Sequence, residues 1–111
     1  PQIIPASRGI ISNIYVESSF SAKELNMFLK EFYKNSPFII CTDGEIPKLR
    51  NVTTTNFCEI SVFDTNIKHK KLVISTLDNL TKGSSGQAIQ NFNLIYNFPE
   101  NLGLDNLAIY P

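Results

Sequence analysis

Apolar positions recur along this chain with two different periods, and the places where the period changes mark its elements. Ile10, Ile14 and Val16 punctuate a segment from Arg8 to Glu17 that is rich in β-branched and aromatic residues, which predicts a strand. Ser18 and Ser19 end it. From Leu25 the spacing becomes helical, with Leu25, Phe28, Leu29, Phe32 and Tyr33 on one face. Ahead of them Ser21-Ala22-Lys23-Glu24 is a capping box: the Ser21 hydroxyl accepts from the Glu24 amide, and the Glu24 side chain reaches back. Phe20 can staple onto Leu25. A helix is therefore expected from Ala22 to about Lys34, stopped by Asn35-Ser36-Pro37.

Phe38 to Thr42 reads as a short buried strand. Asp43-Gly44 is a turn signal, and Pro47 keeps the following loop irregular. Asn51 to Thr55 is polar and β-prone, and its pattern leaves the element type open. Phe57 to Phe63 alternates, with Phe57, Glu59, Ser61 and Phe63 facing one way and Cys58, Ile60 and Val62 the other. Lys71 to Leu77 forms a second strand, and the two make a hairpin across the turn at Asp64-Thr65-Asn66. After Asp78-Asn79-Leu80 the helical period returns in Ala88, Ile89, Phe92, Ile95 and Tyr96, so a helix is expected to about Asn97. Pro99 and Gly103 mark an irregular tail. The order strand, helix, three strands, helix implies an α+β domain, with a mainly antiparallel or mixed sheet and helices on one face.

Composition narrows the function classes. At 111 residues the chain is one domain or a piece of one. Its formal charge is zero, without the basic excess that releases counterions from a nucleic acid. The cluster Lys68, Lys70 and Lys71 reads as a solvated turn. No apolar run reaches the roughly 20 residues a membrane helix needs, and the first residues lack the pattern of a signal peptide. Cys41 and Cys58 sit inside strand-like runs, which points to buried free thiols in a reducing cytoplasm. With a single histidine, no metal-ligand spacing is present. His69, between Lys68 and Lys70, has neither the pocket nor the orienting partner that catalysis needs.

Local chemistry concentrates between Asp78 and Asn91. Gly83, Ser84, Ser85 and Gly86 occupy the start of the expected helix. Glycine there suits either close approach of a ligand to the backbone or tight packing against another element, and the pattern leaves both open. A helix start also offers amides and partial positive charge to an anionic or polar group. Arg8, at the mouth of the first strand, could hold a carboxylate or phosphate, or form an ordinary ion pair.

Three segments together carry a resemblance. They are Ile4-Pro5-Ala6-Ser7-Arg8-Gly9-Ile10, Thr55-Asn56-Phe57-Cys58-Glu59-Ile60, and the run from Asp78 through Gly83-Ser84-Ser85-Gly86-Gln87 to Asn93, closed by Gly103-Leu104, Leu107 and Tyr110-Pro111. In this order they resemble the N-acetyl-gamma-glutamyl-phosphate reductase family over essentially the whole chain. The resemblance implies a C-terminal domain of the glyceraldehyde-3-phosphate dehydrogenase type, within a cytoplasmic, NADP-dependent enzyme of arginine biosynthesis. Members are about three times as long. Their dinucleotide-binding domain, nucleophilic cysteine and catalytic histidine lie upstream of the first segment, so residues 1–111 are expected to hold no catalytic residue, to be inactive alone, and to use Cys58 structurally. Most of the NADP would be bound by the dinucleotide-binding domain. By the same resemblance Asn79 would hold the nicotinamide carboxamide, Gly83 and Gly86 would admit the cofactor or that domain, Gln87 would support the site, and Arg8 would meet the anion of a small-molecule substrate. The expected partners are that domain and further copies, as a dimer or tetramer, with no nucleic acid or membrane. Two alternatives stay open: a related acyl-phosphate reductase of the aminoadipate type, which these residues do not discriminate, and a free-standing ferredoxin-like ligand-binding or interaction module, which the order of strands and helices permits.

Overall fold

A computed structural model describes residues 6–105 and residue 108. Ile4 and Pro5 of the first segment, and Leu107, Tyr110 and Pro111 of the tail, lie outside the described residues. Four strands, β1 (Ile10–Glu17), β2 (Ile39–Cys41), β3 (Cys58–Asp64) and β4 (Lys70–Leu77), form one sheet in the order β1-β4-β3-β2. β4 lies antiparallel between β1 and β3, while β2 runs parallel to β3. The sheet is therefore mixed, and the α+β class is as expected. No helix among the described residues is long and apolar enough to cross a membrane.

Helix α1 (Ala22–Phe32) starts where the capping box places it, with both reciprocal bonds present. Asp64 accepts from the Ala22 amide at 3.3 Å and from Lys71 at 2.6 Å, so a carboxylate sits at the positive end of the helix. Lys71, then the Ala22 amide, outweigh burial and lower the pKa of Asp64. Further along α1, the buried Asn26 does what no apolar periodicity announces. Its Nδ2 donates to the Val62 carbonyl and its Oδ1 accepts from the Val62 amide, each at 2.9 Å. β2 is only three residues long and stops beside Ile60, so one side-chain amide stands in for the missing strand.

Between β2 and β3 the open segment resolves into a single helical turn, α2 (Leu49–Val52), followed by a turn through Thr53. Local bonds, from the Thr53 amide and hydroxyl back to Leu49 O, do not by themselves stabilise four helical residues. The buried Glu59 of β3 does so from a distance, accepting from the Lys48 amide and from Asn51 Nδ2, both at 2.8 Å. The turn after β4 is also unexpected. Residues Thr81–Ser85 form a π-helical turn, with Gly83 N bonding to Asp78 O at 2.8 Å and Ser85 N to Leu80 O at 3.1 Å, before α3 (Gly86–Ile95) continues in α-geometry. Asn97, at φ 56°, closes α3, and the Phe98 amide bonds back to Asn93 O at 2.8 Å.

The interior departs from the usual inventory. Phe38, Val52 and Val62 are buried, but among the described residues the buried set is mostly polar, including Asn26, Asn56, Glu59, Asp78, Gln90 and Asn93. Meanwhile Phe28, Phe32, Phe92 and Ile95 are exposed on the helices, as are Ile10, Ile14 and Tyr15 on β1.

Candidate functional site

The three segments singled out in the sequence converge on the junction between β4 and the π-turn. Asp78 stands at its centre with no exposed surface. Arg8 Nη2 lies 2.8 Å from each carboxylate oxygen. The Leu80 and Thr81 amides donate to Oδ1 at 2.8 and 2.9 Å, and the Thr54 amide donates to Oδ2 at 2.7 Å. Burial pushes this carboxyl upward in pKa, but Arg8, then the amides of Thr54, Thr81 and Leu80, hold it far below the usual carboxylate range. The anion seated at this helix start is therefore a side chain of the protein itself, and the Leu80 and Thr81 amides are not open to a ligand phosphate.

Neighbouring residues repeat the cross-link. Gly9 N donates to Asn79 Oδ1 at 2.7 Å, so residues 8 and 9 are tied in sequence to residues 78 and 79. Gly9 has φ +104°, and a Cβ there would run into the Leu49 side chain, so only glycine brings its amide to Asn79 without strain. Thr54 is held at φ 67°, a region a β-branched residue rarely occupies. Strain of that kind persists where several contacts fix the backbone, and here the Asp78 bond is one of them.

On the far side of the π-turn, Asn56 Nδ2 donates to Gln90 Oε1 at 2.9 Å, and Lys82 Nζ donates to the same oxygen at 2.7 Å. Gln90 Nε2 donates to Glu100 at 2.6 Å. Lys82 also lies 5.5 Å from the centre of the Phe38 ring. Burial lowers its pKa, against the opposing effects of Cys58 and Glu100. Since lysine only donates, Gln90 must present its oxygen, and Asn56 must then turn its nitrogen to Gln90 and its oxygen to Gly86. A Cβ on Gly86 would collide with that oxygen and come within 2.9 Å of the Thr81 backbone. The group for which Gly86 makes room is thus Asn56 of its own chain.

Of the residues expected at a site, Asn79 is half-buried beside the clasp, and Gly83 is exposed on the π-turn. Gln87, the second residue of α3, donates to Asn91 at 3.0 Å. Arg8 holds Asp78, and its Nε is buried without an acceptor. Cys41 and Cys58 are half-buried free thiols; Cys58 Sγ lies 3.2 Å from Ser75 Oγ, and burial raises the pKa of Cys41. His69 is in an exposed turn. No group of three or more metal-ligating side chains occurs among the described residues. The sequence reading had no role for Asp78, Thr54, Asn56 or Gln90. The Asp-Asn pair directly after a strand was the available signal, because such side chains bond to backbone amides two or three residues on.

Set against known proteins, residues 1–79 match the family model of the semialdehyde dehydrogenase dimerisation domain. Over 114 aligned positions the chain is 39% identical to the N-acetyl-gamma-glutamyl-phosphate reductase of Staphylococcus saprophyticus. It is equally identical to that of Geobacter metallireducens, and 37% identical to that of Staphylococcus aureus. Each alignment covers 100% of this chain and 33% of the relative, so the chain spans about a third of the length of the curated relatives it matches.

Proposed function

This chain belongs to the semialdehyde dehydrogenase dimerisation-domain family, and from that premise we propose that it serves an NADP-dependent N-acetyl-gamma-glutamyl-phosphate reductase. The reaction converts the acyl phosphate to N-acetylglutamate semialdehyde. The nucleophile, the catalytic histidine and most of the NADP site belong in this reading to a part of the longer protein outside residues 1–111, with a homo-oligomer as the working form. The free thiols fit a cytoplasmic location.

The observation that carries the reading is the convergence of the three family-like segments on one junction, with the Asn79 side chain at its rim. Asn79 Oδ1 accepts from the Gly9 amide, and its Nδ2 makes no hydrogen bond among the described residues, so it is a donor open to a carbonyl oxygen. The nicotinamide carboxamide supplies such an oxygen. The residues fit that end of the cofactor only, since the helix-start amides that could hold a phosphate are bound to Asp78. NADPH, once bound, supplies the hydride. In this reading the chain would supply the Asn79 amide to hold the carboxamide, with Gly83 exposed on the π-turn and Gln87 and Asn91 linked on α3.

Assaying the intact enzyme and residues 1–111 alone, in the direction of phosphate-dependent NADP reduction with the semialdehyde, tests the reading. Turnover is expected only from the intact enzyme. Activity of the short chain that disappears on Cys58→Ser would overturn it.

A further inference from the structure

The clasp around Asp78 has a consequence for the amide next to it. Asp78 is fixed from three directions: by Arg8 from the mouth of β1, by Thr54 from the turn before β3, and by Leu80 and Thr81 from the π-turn. None of its surface is open to solvent. Asn79 follows it directly, and Gly9 follows Arg8. The Arg8–Asp78 pair therefore sets the register in which the Gly9 amide meets Asn79 Oδ1 at 2.7 Å. A primary amide can present either oxygen or nitrogen by a half-turn about its last bond. With the Gly9 donor on one side, only one of the two orientations leaves no donor facing a donor.

We propose that Arg8 and Asp78 are positioning residues, which hold Gly9 against Asn79 so that the Asn79 amide offers its Nδ2, and only its Nδ2, to the carbonyl oxygen of a ligand carboxamide. The proposal rests on the reading of Asn79 as a nicotinamide contact and gives that contact a direction. It also gives Arg8 a role other than binding the substrate anion, because Asp78 already offsets its charge.

The test uses the intact reductase in four forms: wild type, Asn79→Asp, Arg8→Lys and the double variant. Cofactor affinity is read by titrating NADP and its thionicotinamide and 3-acetylpyridine analogues against protein fluorescence, alongside KM for each substrate and the melting temperature. Arg8→Lys should raise the Kd for NADP roughly three- to tenfold, as for one lost hydrogen bond, and leave the KM for the acyl phosphate within about twofold. In the double variant its effect should shrink to less than about twofold, because both changes act through one amide. The acetyl analogue, which keeps the carbonyl oxygen, should bind wild type within about threefold of NADP, while the thio analogue, a poorer acceptor, binds more weakly. Additive losses in the double variant overturn the positioning role, as does an unchanged Kd in folded Arg8→Lys. An effect confined to the acyl phosphate returns Arg8 to the substrate and overturns it equally. If Arg8→Lys does not fold, Asp78→Asn, which keeps one acceptor for the Leu80 and Thr81 amides, is held to the same criteria. Wild-type affinity and kinetics in folded Asn79→Asp remove Asn79 from the site and the proposal with it; a loss at Asn79 without one at Arg8 leaves the functional reading intact and removes only the positioning.

Discussion

Asp78 is a charged residue with no exposed surface, whereas Phe32 and Ile95 are apolar residues with about two-thirds or more of theirs in water, at 65% and 72%. Acidic side chains are seldom fully buried unless paired, and large apolar ones are usually covered, so both environments are unusual. Most buried polar groups around the junction have partners within this chain, Asp78 at both of its oxygens, whereas Arg8 Nε and Asn56 Oδ1 are buried without one, so the desolvation cost is offset by the bonds that are made. The outer faces of α1 and α3 have no such closure. Phe28 stacks on Phe32, and Phe92 on Phe98, and these rings meet each other rather than a core. The junction draws its bonds from its own sequence, while the helix faces expose apolar surface of the kind that marks an interface.

The sharpest way to break this contrast is to empty the junction. Asp78→Leu removes the acceptor of three amides and leaves the Arg8 charge unmatched. A loss of about 3–5 kcal/mol is expected, as for removing one partner of a buried ion pair, measured by urea denaturation of the intact protein. A variant within about 1 kcal/mol of wild type would show the pair to be dispensable.

Gly86→Ala should cost less, about 1–3 kcal/mol, as overpacking against Asn56 and the Thr81 backbone. The paired variant Gly86→Ala with Asn56→Ala should recover part of that loss, because it removes the colliding oxygen. An additive result in the cycle would point instead to the π-turn backbone.

Acid should act on the same cluster. The native pKa of Asp78 lies below its unfolded value, so its contribution is complete above the ordinary carboxylate range. It declines once the pH drops under about 4 and is lost only when the native carboxyl itself protonates. Glu24 and Asp64, also lowered, add slopes of the same sign. The difference in unfolding free energy between wild type and Asp78→Asn, followed from pH 7 downward, isolates Asp78. A difference that does not change with pH would refute the assignment.

The smallest effect on stability, within about 0.5 kcal/mol, is expected for Phe32→Lys on the exposed face of α1. Its effect on association should be the opposite. Residues 1–111 should sediment as a dimer or larger species, and Phe32→Lys should shift that distribution toward monomer. A wild-type chain that is monomeric at all concentrations would end the contrast from which these experiments start.

Legibility in the sequence followed the same division. Strands and helices written in apolar periods appeared where expected: β1, α1 with its capping box, the β3–β4 hairpin and α3. Elements held by single polar side chains did not. The turn of α2 is anchored by Glu59 of β3, and the π-turn by Asp78 at its start, with Asn56 packed against Gly86 just past its end. A buried asparagine or glutamate has no period, and its partners are set only once distant segments meet. The glycines of the π-turn were visible, but whether Gly86 faced a ligand or its own chain depended on Asn56, thirty residues earlier. The place of Asn79 directly after a strand was visible, and the orientation of its amide was not, because Gly9 fixes it from the other end of the chain.

Asn26 has a consequence for how the sheet can grow. Polymeric β-assemblies need two adhesive edges on every subunit, so that each addition leaves a fresh one exposed. Here the side beyond β3 offers only the three residues of β2, and past them the α1 amide already occupies the backbone groups of Val62. The outer side of β1 has no neighbour among the described residues. A unit with one adhesive edge can join a single mate and then has nothing left to offer. Pairing along β1 would therefore be self-limiting, and one asparagine on a helix removes the geometry from which a fibre could propagate.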